Sequence, residues 1–208
     1  MQAINPQDLD TKQNYKLLTG CILPRAIAWV SSQAEDGTLN LAPFSYFTAV
    51  TANPPTILFC PGTRGADGHD KDTYHNVKAT GEFVVNFVSE AVAQAMVTTA
   101  VEAPPDVDEF QRANLTPIAS EVISVPRVKE SPIHFECKLN QIVSIGDGHI
   151  VIGEVVYMHF ADGIRDANNY INLQQYQPVG RLAGSGYTRV TDLFDLQRPP
   201  SEVQPKAD

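Results

Sequence analysis

The sequence predicts a mainly β chain with helices inserted between its strands, folded as a small antiparallel barrel. Two observations carry that prediction. Short β-prone runs follow one another between Gly, Pro and Asp-Gly turns, with few helical patterns among them. No Gly-x-Gly-x-x-Gly stands between a strand and a helix, which argues against a parallel, doubly wound sheet.

Residues 1–20 are polar apart from Tyr15, Leu17 and Leu18, and read as a short helix leading into the first strand. Residues 26–32 mix β-branched, aromatic and small hydroxyl side chains, the composition of a largely buried strand. Asp36-Gly37 makes the hairpin turn, because Gly accepts positive φ. A second strand, 39–50, holds Pro43, which has no N–H for a ladder. The sheet is therefore expected to bulge, bend or end there. Donors freed beside the small Ala42 and the Ser45 hydroxyl suit a planar polar ligand, although a barrel corner without ligand has the same pattern. Asn53-Pro54-Pro55 is a stiff turn before a strand at 56–60.

The Gly-rich stretch 61–71 is a loop, after which Asp72 or Thr73 is expected to cap a helix at 74–80 that Gly81 ends. Residues 83–88 read as a buried strand, 89–99 as a helix, 109–114 as one helical turn and 122–129 as a strand. Alternation at 134–145 places Phe135, Cys137, Leu139, Gln141 and Val143 on one face, with Glu136, Lys138 and Asn140 on the other. The strand at 149–160 is apolar on nearly both faces, so it belongs in the middle of the sheet or at a subunit interface. Residues 162–177 are polar and partly helical, 181–187 a loop, and 197–208 a frayed tail. No repeat or linker divides the chain, which reads as a single domain, 1–208.

Composition narrows the function classes. A 43% hydrophobic, 19% charged chain of 208 residues can bury one core, whereas a net charge of −9 disfavours nucleic acid or an anionic membrane as partner. No apolar run approaches the ~18 residues of a bilayer-crossing helix, and the acidic, polar start is not a signal peptide, so the cytoplasm is expected. Cys21, Cys60 and Cys137 are scattered without metal or disulfide spacing, and read as small buried apolar residues.

The run PRAIAWVSS…EDGTLNLAPFSYFTAVTANPPTILF closely resembles the flavin reductase-like family of FMN-binding split barrels, flavoredoxin-like members included. Lys71-Asp72-Thr73, Glu82-Phe83-Val84-Val85-Asn86 and Gly148-His149…Gly153-Glu154-Val155 extend the resemblance across nearly the whole chain. It implies a split β-barrel with Greek-key connections, a homodimer, and hydride transfer from NAD(P)H to FMN without a Rossmann site. A partner monooxygenase is one implied recipient of the reduced flavin. An FMN-holding electron carrier with little NAD(P)H turnover is the alternative, and an unliganded barrel the third reading.

The same resemblance assigns roles. Trp29, Ser31 and Ser32 lie where the family's barrel wall meets flavin, although Trp29 also suits a core. Main chain at Leu41 and Ala42, beside Asn40, is to meet the ring edge, and Ser45 the ribityl-phosphate arm. Lys71, Asp72 and Thr73 open a helix whose N-terminus favours an anion, here the FMN phosphate; an ordinary helix cap is the plainer reading. His149, the one candidate catalytic side chain, is to touch flavin or nicotinamide, or else to bond backbone at the hairpin end. Arg181 and Tyr187 are to lie over the flavin, in a loop whose path is altered by Ala183 in place of the family's glycine. No metal ligands are expected. Flavin itself carries the hydride, so the protein has to supply only position and polarity.

Overall fold

The computed structural model describes residues 1–201. Helix α1, Thr11–Cys21, opens on a capping box between Asp10 and Gln13. Strands β1 (Ala28–Gln33), β2 (Leu39–Phe44), β3 (Phe47–Ala52) and β4 (Pro55–Phe59) follow, then helix α2 (Asp72–Thr80) and β5 (Glu82–Phe87). Short helices α3 (Ala93–Thr98) and α4 (Glu109–Arg112) precede the two-residue strands β6 (Pro117–Ile118) and β7 (Arg127–Val128). The long hairpin of β8 (Ile133–Ile145) and β9 (Gly148–Phe160), the single turn α5 (Leu173–Tyr176), and the small hairpin of β10 (Val179–Arg181) and β11 (Tyr187–Arg189) complete the order.

Seven strands form one antiparallel sheet in the order β2-β1-β5-β8-β9-β4-β3. The chain passes from β2, at one edge, to β3, at the other, through Ser45 and Tyr46 alone. Phe44 and Phe47 are three residues apart, and so stand at most about 11 Å from one another. The two edges therefore meet at that end, and the sheet is rolled into a barrel split along the β2–β3 seam. The expected second strand is thus two strands on opposite edges, broken at Ser45-Tyr46 rather than at Pro43. Pro43 stays inside β2, paired with Trp29, because an edge strand has one side that needs no ladder partner.

Side-chain alternation builds two cores. Ala28, Val30, Phe44, Phe59, Phe83, Val85, Cys137 and Val151 come from strands all round the sheet and fill the barrel, joined by Val77 of α2. Trp29, Leu41, Met96, Phe110 and Val128 form a second cluster on the outer face of β1 and β2, under α3 and α4. Gly153 is where the ring of Phe83 enters the barrel wall, since a Cβ there would lie 2.4 Å from Cζ of Phe83.

Several expectations need correction. An extra residue in β8, Asn140 between Leu139 and Gln141 of the β8–β9 ladder, shifts the far half of the strand, so that Ile142 packs on the core and Val143 is exposed. Strand β9, by contrast, lies between β8 and β4, in the middle of the sheet as its two apolar faces implied. Only Arg127–Val128 of the 122–129 run is strand: the N–H groups of Glu121 and Val122 are taken by the Glu136 carboxylate instead of a ladder. The 89–99 helix starts as a 3₁₀ turn, Glu90–Val92. Lys71 is the N-cap of α2 and makes no side-chain cap bond. The 181–187 loop is the turn of a hairpin with Arg181 and Tyr187 paired at its base. Cys21 is exposed, and only Cys137 is fully buried. Of the expected tail, residues 202–208 lie outside the described ones. No described helix is long and apolar enough to cross a membrane.

Candidate functional site

A cavity of about 570 Å³ opens at the β2–β3 seam. It is the size of a small-molecule pocket. Its lining joins two distant parts of the chain, Asn40, Ala42 and Ser45 from the Pro43 segment with Lys71, Asp72 and Thr73 from the start of α2. Tyr15 and Leu18 of α1, with Pro43, Phe44 and Tyr46, make it apolar and aromatic on one part of its wall; Arg64 and Lys71 make it cationic on another.

Strand pairing dictates how the Asn40 end is built. Asn40 pairs with Ser32, so both side chains rise on the α2 side of the sheet. Asn40 Oδ1 accepts hydrogen bonds from Thr73 Oγ1 at 2.7 Å and Ser32 Oγ at 3.2 Å, and Nδ2 donates to Glu109 Oε2 at 2.9 Å. Asn76 of α2 donates in turn to Ser32. Leu41 directs its N–H off the outer edge of β2, to the same Glu109 oxygen at 3.0 Å. The Leu41 donor expected for a ring edge is therefore held by a carboxylate of this chain. Burial pushes the Glu109 carboxyl above its ordinary pKa, against the pull of the Asn40 and Leu41 bonds.

Ser45 is set by Arg25, whose Nε donates to its Oγ at 3.2 Å. The same guanidinium donates to the carbonyls of Thr19 at 2.7 Å and Leu182 at 3.0 Å, tying α1 and the β10–β11 turn to the cavity. On the cationic wall, Arg64 donates to both Asp72 oxygens, one at 2.6 Å. Glu102 accepts from Gly65 N at 2.7 Å and Ala66 N at 3.1 Å, and pairs with Lys71 Nζ at 3.4 Å. The Gly65 N–H bond does most to hold Glu102 below the usual carboxylate range.

The other residues singled out from sequence lie away from this lining. Trp29 is wholly buried in the outer core, its indole N–H on Thr99 Oγ1 at 2.9 Å. Ser31 donates to Pro126 O and accepts from Asn86, and Leu41 packs in the outer core. Ser32 reaches the cavity only through Asn40. Arg181 stacks over the Tyr187 ring at 4.6 Å and donates to Gly186 O, within its own hairpin. His149 lies beside the lining residues Asp147 and Gly148, with Nε2 at 2.9 Å from Asp70 and Nδ1 at 2.9 Å from Ser144 Oγ. Its ring stacks on Tyr74 of α2 at 4.1 Å. His149 thereby pins the end of the 61–71 loop to the β8–β9 hairpin and α2.

Arg25, Glu102 and Glu109 are the site residues that sequence reasoning missed. Arg25 carried a weak signal, as it opens the motif; the two acids sat in segments read as a connector and a helical turn.

The sequence model of the flavin reductase like domain family matches residues 19–180. An uncharacterized protein of Aquifex aeolicus is 43% identical over 183 residues, covering 88% of this chain and 93% of the relative. The crystal structure of nitrilotriacetate monooxygenase component B from Bacillus cereus superposes with a TM-score of 0.90 at 42% identity, over 94% of this chain and 98% of the other. The 2-nitrobenzoate 2-nitroreductase of Pseudomonas fluorescens follows with a TM-score of 0.87 at 33% identity, over 97% and 100% of the two chains.

Proposed function

The chain belongs to the flavin reductase-like family, and from that premise we propose that it binds FMN in the β2–β3 cavity and reduces it with NAD(P)H. One observation carries the reading: a single cavity gathers Asn40, Ala42 and Ser45 with Lys71, Asp72 and Thr73. The residues fit the group. An aromatic and aliphatic wall suits a flat ring system, and Lys71, Arg64 and the uncapped first turn of α2 suit a phosphate. FMN, when bound, supplies the hydride-accepting chemistry.

The protein's own contribution is positioning. Asn40 is oriented by Thr73, Ser32 and Glu109, so the motif's amide holds one rotamer in front of the ligand. Arg25 fixes the Ser45 hydroxyl. His149, which we place as a positioning residue, holds the loop that carries Arg64. Likeness to nitrilotriacetate monooxygenase component B supports delivery of reduced flavin to a separate monooxygenase.

We also infer a homodimer. Tyr15 and Leu18 on α1, Ile22 at its C-cap and Val50 on the edge strand β3 are exposed, and Tyr15 and Leu18 also line the cavity. An apolar surface of that kind beside a site is the usual mark of a partner. Anaerobic mixing of the FMN-loaded protein with NADH and then NADPH tests the activity. Rapid bleaching supports the reductase, while tightly held FMN that neither nucleotide bleaches makes the protein an electron carrier.

A further inference from the structure

We propose that the N–H groups of Gly65 and Ala66, with the Lys71 ammonium, form the phosphate site of the cavity, and that Glu102 is its built-in competitor. The inference rests on the flavin reading and names the group that governs ligand entry. Two consecutive backbone N–H groups converge on one anion, the geometry of a nest, and a lysine completes it. The anion they hold is the chain's own carboxylate. Its Oε1 meets Gly65 N and Lys71 Nζ, and its Oε2 meets Ala66 N. A phosphate offers the same acceptors with more charge, so the nest that fits Glu102 also fits a phosphate monoester.

Location supports the exchange. Lys71 and Glu102 both line the cavity, as does Arg64 beside Gly65, so the nest stands at the cavity's margin. Arg64, next to Gly65 in sequence, is likewise neutralised, by Asp72. The two acids differ in freedom. Asp72 is fixed in the first turn of α2, whereas Glu102 sits on a segment without regular structure, with its side chain about a third exposed. Glu102 is the one that can swing away. While it stays, the nest is closed to phosphate, and the apparent affinity falls in proportion to the fraction of time the nest is free.

The test is a titration of FMN and riboflavin, which lacks the phosphate, against wild type, Glu102→Gln and Glu102→Ala, with melting curves to verify folding. If Glu102 fills the nest about nine-tenths of the time, both variants bind FMN about tenfold more tightly and riboflavin unchanged. A parallel titration of the riboflavin-loaded proteins with NADH shows whether a dinucleotide phosphate uses the nest instead, by tightening in that arm alone. Unchanged or weakened binding in both arms makes Glu102 a plain loop latch and overturns the proposal while leaving flavin binding intact. A wild type that binds neither flavin overturns the functional reading first.

Discussion

Lys71 and Ala42 are the residues at which the account is most exposed to test. If Lys71 holds the phosphate, Lys71→Ala weakens FMN and spares riboflavin. A charge-assisted contact of ~1.5–3 kcal/mol corresponds to about ten- to a hundredfold in affinity. Equal losses for the two ligands place Lys71 elsewhere. Ala42 both lines the cavity and packs against the barrel core. Ala42→Leu is therefore expected to cost ~1–3 kcal/mol in the apo-protein by overpacking, and also to shrink the thermal shift on adding FMN. A destabilised variant that keeps its full FMN shift moves the ligand away from β2. At this scale sequence reasoning named Asn40, Ala42, Ser45, Lys71, Asp72 and Thr73 from a long motif, and one cavity gathers all six. That reasoning could not sort Trp29 or Ser31 from them. Both lie on the same strand, and only the pairing partner and the packing of α3 reveal that they face the outer core.

Strands and turns were largely legible, since β-branched runs and Asp-Gly or Gly-Asp-Gly turns report on local backbone preference. The break between β2 and β3 was misread at Pro43, because a proline's meaning depends on whether its strand has one neighbour or two. The bulges of the β8–β9 ladder left no mark in the sequence, as neither extra residue, Asn140 in β8 or Val156 in β9, is a Gly or Pro that would flag an irregular backbone. The close packing in the barrel wall gives a sharper element-scale prediction. Gly153→Ala puts a methyl against Phe83, which Phe59 holds edge-on at 5.3 Å. The ring cannot move freely, so a loss of ~1–3 kcal/mol is expected in denaturant melts; an unchanged midpoint contradicts this packing. The exposed faces of α1 and β3 predict a stable dimer, and Leu18→Glu with Val50→Glu is expected to shift sedimentation to monomer. A wild type that already sediments as monomer with FMN bound sinks that inference.

The whole molecule's fold was legible as a barrel, but its closure was not, because only the strand order shows that β2 and β3 are opposite edges joined by two residues. Its acid stability follows from one buried pair of strands. Burial lowers the His134 pKa from 6.5 to about 4, opposed by the Val128 carbonyl and the Glu136 charge, with Arg127 and His159 adding to the fall. Burial also works to raise the pKa of Glu136, but the Glu121 and Val122 N–H groups and His159 outweigh it and hold it low. Below pH 6.5 the unfolded chain takes up a proton at His134 that the folded chain refuses. Stability is therefore lost as pH falls towards 4, by up to about 3 kcal/mol from this residue. Glu136 loses its contribution in the same direction, further into acid. His134→Gln, which keeps a donor for Val128, is expected to flatten the fall in melting temperature between pH 7 and pH 5. A fall as steep as that of wild type removes His134 from the account.

The most direct test of the central claim is anaerobic stopped-flow mixing of the FMN-loaded protein with NADH, followed at the oxidised-flavin absorbance band. A cavity that holds flavin within reach of nicotinamide predicts rapid, saturable bleaching. FMN that stays oxidised under both NADH and NADPH contradicts it.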